Sequence, residues 1–310
     1  MTTQLIHKKC SPTILFVYNR PRHTAEALRA LAANTLAAQT PLVIYSDAAR
    51  GEADASLVQE TRNLLKTISG FASVTIHERE RNFGLADSIT DGVTNVIREY
   101  GRAIVLEDDI ITSPNFLEYM NAALARYEHE ERIMHVAAHV LSISPAGLPE
   151  SFFMRQSSCW GWATWARAWR HFHRRGQEFI DTFTPDDIKK FNLDGAYDYW
   201  SQLLANENGT LKTWAVYWYA CVFSQGGLCL HPRQSLVQNI GFDGSGENCG
   251  AERGEASVFE AKAPTSFPDI LEEQEPAMRR YQQQLRQAQP QSLWRKIRGF
   301  FAKSRHAYLS

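Results

Sequence analysis

A short apolar run, Ala103-Ile104-Val105-Leu106, ends abruptly in Glu107-Asp108-Asp109. A run this short and this apolar predicts a strand buried on both faces, as in parallel sheets covered by helices. Acids at its carboxyl end stand where open α/β sheets place their ligands. Adjacent carboxylates repel one another unless something positive lies among them, and a divalent cation carrying a phosphorylated substrate would meet that need. The run thus constrains both architecture and chemistry.

The residues before it extend the pattern. Thr13-Ile14-Leu15-Phe16-Val17-Tyr18 predicts a buried strand, and a turn at Asn19-Arg20-Pro21 leads into a helix through Ala25, Leu28 and Leu31. Leu42-Val43-Ile44-Tyr45 predicts a second strand ending in Ser46-Asp47, followed by helical spacing from Leu57 to Ile68 and a stop at Gly70. Val74-Thr75-Ile76 predicts a third strand, and Leu85, Ile89, Val93 and Val96 a helix leading to the 103–106 run. Strands separated by helical crossovers imply an α/β fold with a mixed, mainly parallel sheet and helices on both faces. Beyond the acids, Ser113-Pro114 is expected to start a helix, with a capping hydroxyl and proline at its first position. Trp162, Trp165, Trp169 and Phe172 fall at helical spacing and predict a core stripe. The histidines at 135, 139, 171 and 173 show no ligand spacing and are read as structural or surface residues.

With 310 residues, 44% of them hydrophobic, the chain can build one large core or a catalytic domain with an appendage. No run approaches ~18 consecutive apolar residues, and the N-terminal stretch lacks the apolar region of a signal peptide. Five cysteines without CxxC spacing argue for a reducing compartment and against a structural zinc, so a cytoplasmic location is expected. The net charge of −1 conceals an asymmetry: past Glu275 there are eight cations and no acid, leaving 25 basic against 34 acidic residues before them. Two units are expected, a catalytic domain over 1–270 and a basic tail over 271–310 that is partly helical. In that tail Leu293, Trp294, Ile297, Phe300 and Phe301 alternate with Arg295, Lys296, Arg298 and Lys303, a pattern for peripheral contact with an anionic bilayer such as the inner membrane. The basic cluster is too small for nucleic-acid binding, so no nucleic-acid partner is expected.

Three strand ends suit a nucleotide: Asn19-Arg20, Asp47, and the acids at 107–109. A carboxylate can accept from a base N–H, and a guanidinium can pair with phosphate. No GxGxxG or GxxxxGK[ST] motif follows the first strand, which excludes the usual dinucleotide and P-loop readings.

The ordered set Phe16-Val17-Tyr18-Asn19-Arg20-Pro21, Tyr45-Ser46-Asp47, Asn82-Phe83-Gly84-Leu85, Val105-Leu106-Glu107-Asp108-Asp109 and Cys159-Trp160-Gly161-Trp162 resembles the GT-A glycosyltransferases. The nearest likeness is to bacterial sugar transferases similar to the N-acetylglucosaminyltransferase I group. The resemblance implies a GT-A (Rossmann-like) sheet and a metal-dependent, inverting transfer. The sugar, hexosyl or N-acetylhexosaminyl, would pass from a nucleotide-sugar donor, a UDP-sugar, to a glycan or lipid-linked acceptor in bacterial surface polysaccharide synthesis. It further implies that Asp109 binds Mn²⁺ or Mg²⁺ and that Glu107 and Asp108 meet the donor. Asp47 would read the uracil, with Tyr18, Asn19, Arg20 and Asn82 beside the nucleotide. Trp160 and Trp162, flanking a glycine, are expected to line the sugar pocket. In many relatives a Trp-Asp dipeptide supplies the base that accepts the acceptor's proton, whereas here Trp214 is followed by Ala215. Asp243, in a glycine-flanked segment, is the first alternative, then Glu247 and Asp198. A non-catalytic sugar-binding protein and a sugar nucleotidyltransferase are the competing classes, the latter disfavoured by the lack of glycine over 14–22.

Overall fold

A computed structural model describes residues 10–243 and 262–288. The first half alternates as expected: β1 (Thr13–Val17), α1 (Pro21–Ala32), β2 (Pro41–Ser46), α2 (Glu52–Leu65), β3 (Ser73–Glu78), α3 (Leu85–Tyr100) and β4 (Arg102–Glu107). Then come β5 (Ile110–Thr112), α4 (Phe116–Arg126), β6 (Ile133–Ala137), β7 (Ser151–Met154), β8 (Trp162–Trp165) and the short helix α5 (Ala166–Trp169). Helices α6 (Gly176–Thr182), α7 (Pro185–Phe191), α8 (Tyr199–Glu207) and α9 (Ala215–Ser224) precede β9 (Leu228–Pro232) and β10 (Val237–Asn239), and α10 (Glu275–Ala288) ends the described chain.

Eight strands form one sheet in the order β3-β2-β1-β4-β8-β6-β9-β7. β3, β2, β1 and β4 are parallel, and β8 and β7 run against their neighbours. The protein is therefore of the α/β class with a mixed, mainly parallel sheet. Period-two alternation sorts each central strand between two cores. Leu15, Val17, Leu42, Ile44, Ile104 and Leu106 face one side, with α1 and α4. Ile14, Phe16, Val43, Tyr45, Ala103 and Val105 face the other, with α3 and α9. Apolar side chains on both faces explain why these strands read as continuous runs.

Two local expectations are corrected. Ser113 does not cap a helix: its N–H donates to Leu236 O (2.8 Å), so it still belongs to the β5–β10 ribbon, and α4 begins at Phe116. Trp162 and Trp165 lie on the strand β8, while Trp169 closes the helix α5. The stripe is core, as expected, but its first half has strand geometry. Helix α10 falls within the segment expected as a separate tail. Its Ala277, Met278, Tyr281 and Leu285 pack with Phe152, Met154, Leu193 and Ala196 in a third core, and Arg155 pairs with Glu273 (2.6 Å) just ahead of it. The amphipathic stretch at 293–303 lies outside the described residues. Among those described, no helix is long and apolar enough to cross a membrane.

Candidate functional site

β1, β2 and β4 end side by side, and a cleft of 220 Å³ opens at their carboxyl ends. Its wall includes Tyr18, Asn19, Arg20, Asp47, Asn82, Glu107, Asp108, Asp109 and Trp160, so the structure brings together nine of the residues singled out in the sequence.

The positive charge that the three acids require comes in part from within the chain. Arg20, just before α1, pairs with Asp108, and its Nη1 lies 3.1 Å from Asp109 Oδ2 in a charge contact without hydrogen-bond alignment. Burial opposes a charge on Arg20, but the two aspartates outweigh it and raise the guanidinium pKa. Burial, with Asp109 and Asp108 close by, pushes Glu107 up to about 8, so its carboxyl is mostly neutral at pH 7. Burial also raises Asp108, against the pull of Arg20.

Asp47 joins two loops. Its Oδ1 accepts from Ala48 N and Phe83 N and its Oδ2 from Gly84 N, each at 2.9 Å. Asn82 Nδ2 closes the same junction by donating to Ala48 O (2.7 Å). Gly84 supplies a left-handed turn (φ 72°) directly before α3, which aims these amides at the carboxylate. Oδ1 is filled by its two amides, while Oδ2 retains a lone pair, so Asp47 can still accept one bond from a ligand. On the other wall Tyr18 Oη donates to Asp54 (2.6 Å), and Asn19 Nδ2 donates to the same carboxylate (3.1 Å). Burial and that bond push the Tyr18 phenol up to about 12.

Trp160 and Trp162 part company at Gly161, whose φ of 63° reverses the chain. Trp160 faces the cleft, edge-on to Phe242 at 5.6 Å and beside His139 at 4.5 Å. Trp162 is 1% exposed, packed between Trp214, Trp169 and His135, and cannot touch a ligand. The expectation that it lines a pocket is thereby corrected.

The three carboxylates considered as bases fare differently. Asp198 caps α8, accepting from Ser201 N (3.0 Å) and Ser201 Oγ (2.6 Å), and lies away from the cleft wall, which corrects its assignment. Glu247 lies outside the described residues. Asp243 is half exposed, 3.3 Å from His23 Nε2 on α1, and is not part of the cleft wall. Trp214 and Ala215, at the place of the expected base, do face the cleft, with Ala215 opening α9; Lys212 and Thr213 just before them join the wall, as do Arg50 and Asn239, which the sequence did not mark.

Gly241 is the tightest point around Asp109. A Cβ there would collide with Asp109 Oδ2 and lie 3.1 Å from Asn239 Oδ1, although the backbone itself would accept one. Gly241→Ala is expected to displace the Asp109 carboxylate while leaving the fold intact. If Asp109 serves the ligand, binding or turnover falls by about 10²-fold with little change in melting temperature. Calorimetric titration beside a thermal melt checks this.

No family model matches the sequence, and no curated protein matches it. Among solved structures, a mannosyltransferase from Pyrobaculum calidifontis in complex with GDP-Man and Mn²⁺ is 14% identical, with a TM-score of 0.35, over 58% of this chain and 49% of its own. S. aureus TarS is 14% identical, with a TM-score of 0.33, over 58% of this chain and 31% of its own. Mouse xyloside xylosyltransferase 1, apo form, is 12% identical, with a TM-score of 0.34, over 72% of this chain and 97% of its own. The chain thus spans about half the length of the first and a third of the second.

Proposed function

We propose that this protein is a glycosyltransferase that moves a sugar from a nucleotide-sugar donor, a UDP-sugar, to a glycan or lipid-linked acceptor. The observation that carries the reading is the convergence of Arg20, Asp47 and the acids at 107–109 on one cleft at the carboxyl ends of three parallel strands. Asp47 offers its Oδ2 as an acceptor to a base, and Arg20 offers a guanidinium to a diphosphate.

The donor set at the acids fits a hard cation in part. Asp108 and Asp109 present carboxylate oxygens with Asn239 Oδ1 close to Asp109, although the described residues assemble no group of three or more acidic, histidine or cysteine ligands. One or two carboxylates completed by phosphate oxygens and water is the usual mode for Mg²⁺ and suits Mn²⁺ as well. In this reading Asp109 holds the ion and Asp108 shares the site with Arg20. An ion held there would supply Lewis-acid stabilisation to a departing diphosphate. Arg20, paired with Asp108 and close to Asp109 at the same cleft wall, would offer its guanidinium to the diphosphate. Trp160 supplies an apolar wall for the sugar. Asp243, beside His23 on α1, is the carboxylate retained for the acceptor's proton in an inverting transfer. Surface polysaccharide synthesis is the setting the sequence resemblance favours, with peripheral contact at the membrane through the basic tail.

Asp109→Asn tests the proposal. UDP binding in the presence of Mn²⁺ is expected to weaken by about 10²-fold, with the melting temperature of the apo-protein unchanged within a few degrees. Retention of Mn²⁺-dependent UDP binding in that variant overturns the role of Asp109. Ala215 on the cleft wall favours a second reading, a sugar-binding protein without turnover. Release of UDP from UDP-sugars on addition of acceptor separates the two. Pyrophosphate release marks a nucleotidyltransferase instead.

A further inference from the structure

The cleft does not end at its nucleotide wall. Between Arg50 and Lys212 it opens into a groove of 720 Å³, and this continues past Phe83 and Arg174 into a second hollow of 520 Å³ along α3. Asp87, Thr90, Asp91, Thr94, Asn95 and Arg98 line the outer part. Their spacing of three and four residues places them on one face of the helix, so the trough follows α3 over most of its length, about 20 Å.

Its charge is one-sided. Arg50, Arg81, Arg98, Arg174 and Lys212 line the two hollows against two carboxylates, Asp87 and Asp91. Both carboxylates are already engaged: Asp87 pairs with Arg174, and Asp91 with Arg79. Arg81 lies 5.3 Å over the Phe83 ring, and no carboxylate among the described residues pairs with Arg81, Arg98 or Lys212. A chain whose residues up to Glu275 carry more acids than bases has thus gathered Arg81, Arg98 and Lys212, without carboxylate partners among the described residues, in a concave channel, where field lines are focused. The remaining lining is mixed: hydroxyls, amides and the Tyr217 phenol stand beside Phe83, Leu85, Ala86 and Leu211 in a narrow channel. Such a surface suits an extended polar chain better than a bilayer.

We infer that this trough holds the acceptor, and that the acceptor is an anionic saccharide, carrying carboxylates or phosphates along its length. The inference rests on the transferase reading of the cleft: a saccharide lying along α3 presents its end between Lys212 and Asn82, where the trough meets the donor site. Arg50 and Lys212 stand at that junction. Arg81 and Arg98 lie away from the cleft and read the charge of the distal units.

Binding of tetragalacturonate, with maltotetraose as the neutral control, tests this on the full chain by calorimetry at low and moderate salt. The wild type is expected to bind tetragalacturonate and to prefer it over maltotetraose by about tenfold or more, with affinity falling as salt rises. Arg81→Glu/Arg98→Glu is expected to lose about tenfold in tetragalacturonate affinity while UDP affinity changes by less than about twofold. Tripolyphosphate in place of tetragalacturonate reports whether phosphate serves as well as carboxylate, and binding of either anion sensitive to the double substitution supports the inference. Equal binding of the two tetrasaccharides, or unchanged anion affinity in the double variant, overturns it. Preferential binding of vesicles rich in anionic lipid through Arg81 and Arg98 also overturns it, in favour of a membrane-facing patch. Loss of UDP binding in the wild type would strike the donor reading alone, because the tetrasaccharide titration does not use UDP.

Discussion

Arg20→Met is expected to destabilise the protein by about 3–5 kcal/mol, the usual consequence of removing one partner from a buried ionic cluster. In the native cleft Asp108 and Asp109 are 3% and 6% exposed, and Arg20 is the cation in contact with both. Methionine keeps much of the side-chain volume, so little of the loss is packing. What remains is two carboxylates, close to a third, facing one another without a counter-charge. For a chain of this size the melting temperature should fall by about 6–20 °C. Arg20→Lys should fall between, because a single ammonium cannot fork to two carboxylates. Millimolar Mn²⁺ is expected to recover about 2–3 kcal/mol in Arg20→Met, and less in the wild type, whose own guanidinium competes for the acids. Thermal melts of the three proteins with and without Mn²⁺ provide the measurement. An Arg20→Met protein as stable as the wild type would remove the guanidinium from the electrostatics of the site.

That role explains what the sequence showed and what it withheld. The acids at 107–109 are legible because charge rarely follows a buried strand without a reason. The cation beside them was sought in a metal, since Arg20 lies some ninety positions earlier and nothing local marks the two as neighbours. Parallel pairing of β1 with β4 joins them, setting Phe16 opposite Glu107. β1, β2 and β4 were readable for a related reason: strands covered on both faces have no polar positions to blur the run. β8 was not, because Trp162, Trp165 and Trp169 repeat at intervals that mimic a helix although the chain is extended through the first two. The far wall of the cleft, Lys212 to Ala215 and Asn239, belongs to segments whose place depends wholly on tertiary packing. Asn239 gave no signal beyond its place ahead of the glycine-flanked Asp243. Only β10 pairing with β5 shows that it borders the acidic turn.

The other large effect concerns acid. Below about pH 6.5 the protein is expected to lose stability steeply, and the cause is a group of histidines behind the cleft wall. Trp218 Nε1 can only donate, and it donates to His135 Nδ1 (3.0 Å), so His135 must carry its proton on Nε2, which faces Ser158 O (3.0 Å). A second proton would set N–H against N–H. Burial, with His231 nearby, lowers His135 to about 3 and His139 to about 3, and burial lowers His231 to about 4 against the pull of its two carbonyl partners. Each histidine is neutral in the folded protein and protonates in the unfolded chain below about pH 6.5. Stability is therefore complete above that pH and falls as pH drops towards the folded values. Glu107, raised to about 8, works in the opposite sense, as does Asp108, which burial also raises, and together they offset at least one of the three. The net uptake on unfolding is about one to two protons, on the order of 2 kcal/mol per pH unit between pH 6.5 and 4.5. A loss of about 4 kcal/mol across that window is a large part of the stability of an ordinary domain. Urea unfolding at half-unit pH steps should show the slope, and His135→Gln should lower it by about one proton while costing stability at pH 7. A flat profile between pH 7 and 5 would remove the buried histidines as the cause. Function should fail along the same path, because Ser158, held by His135 and His139, leads directly into Cys159 and Trp160 of the cleft wall. The folded histidines stay neutral down to about pH 4, so the wall is lost with the fold itself, and ligand affinity is expected to fall in step with the folded fraction.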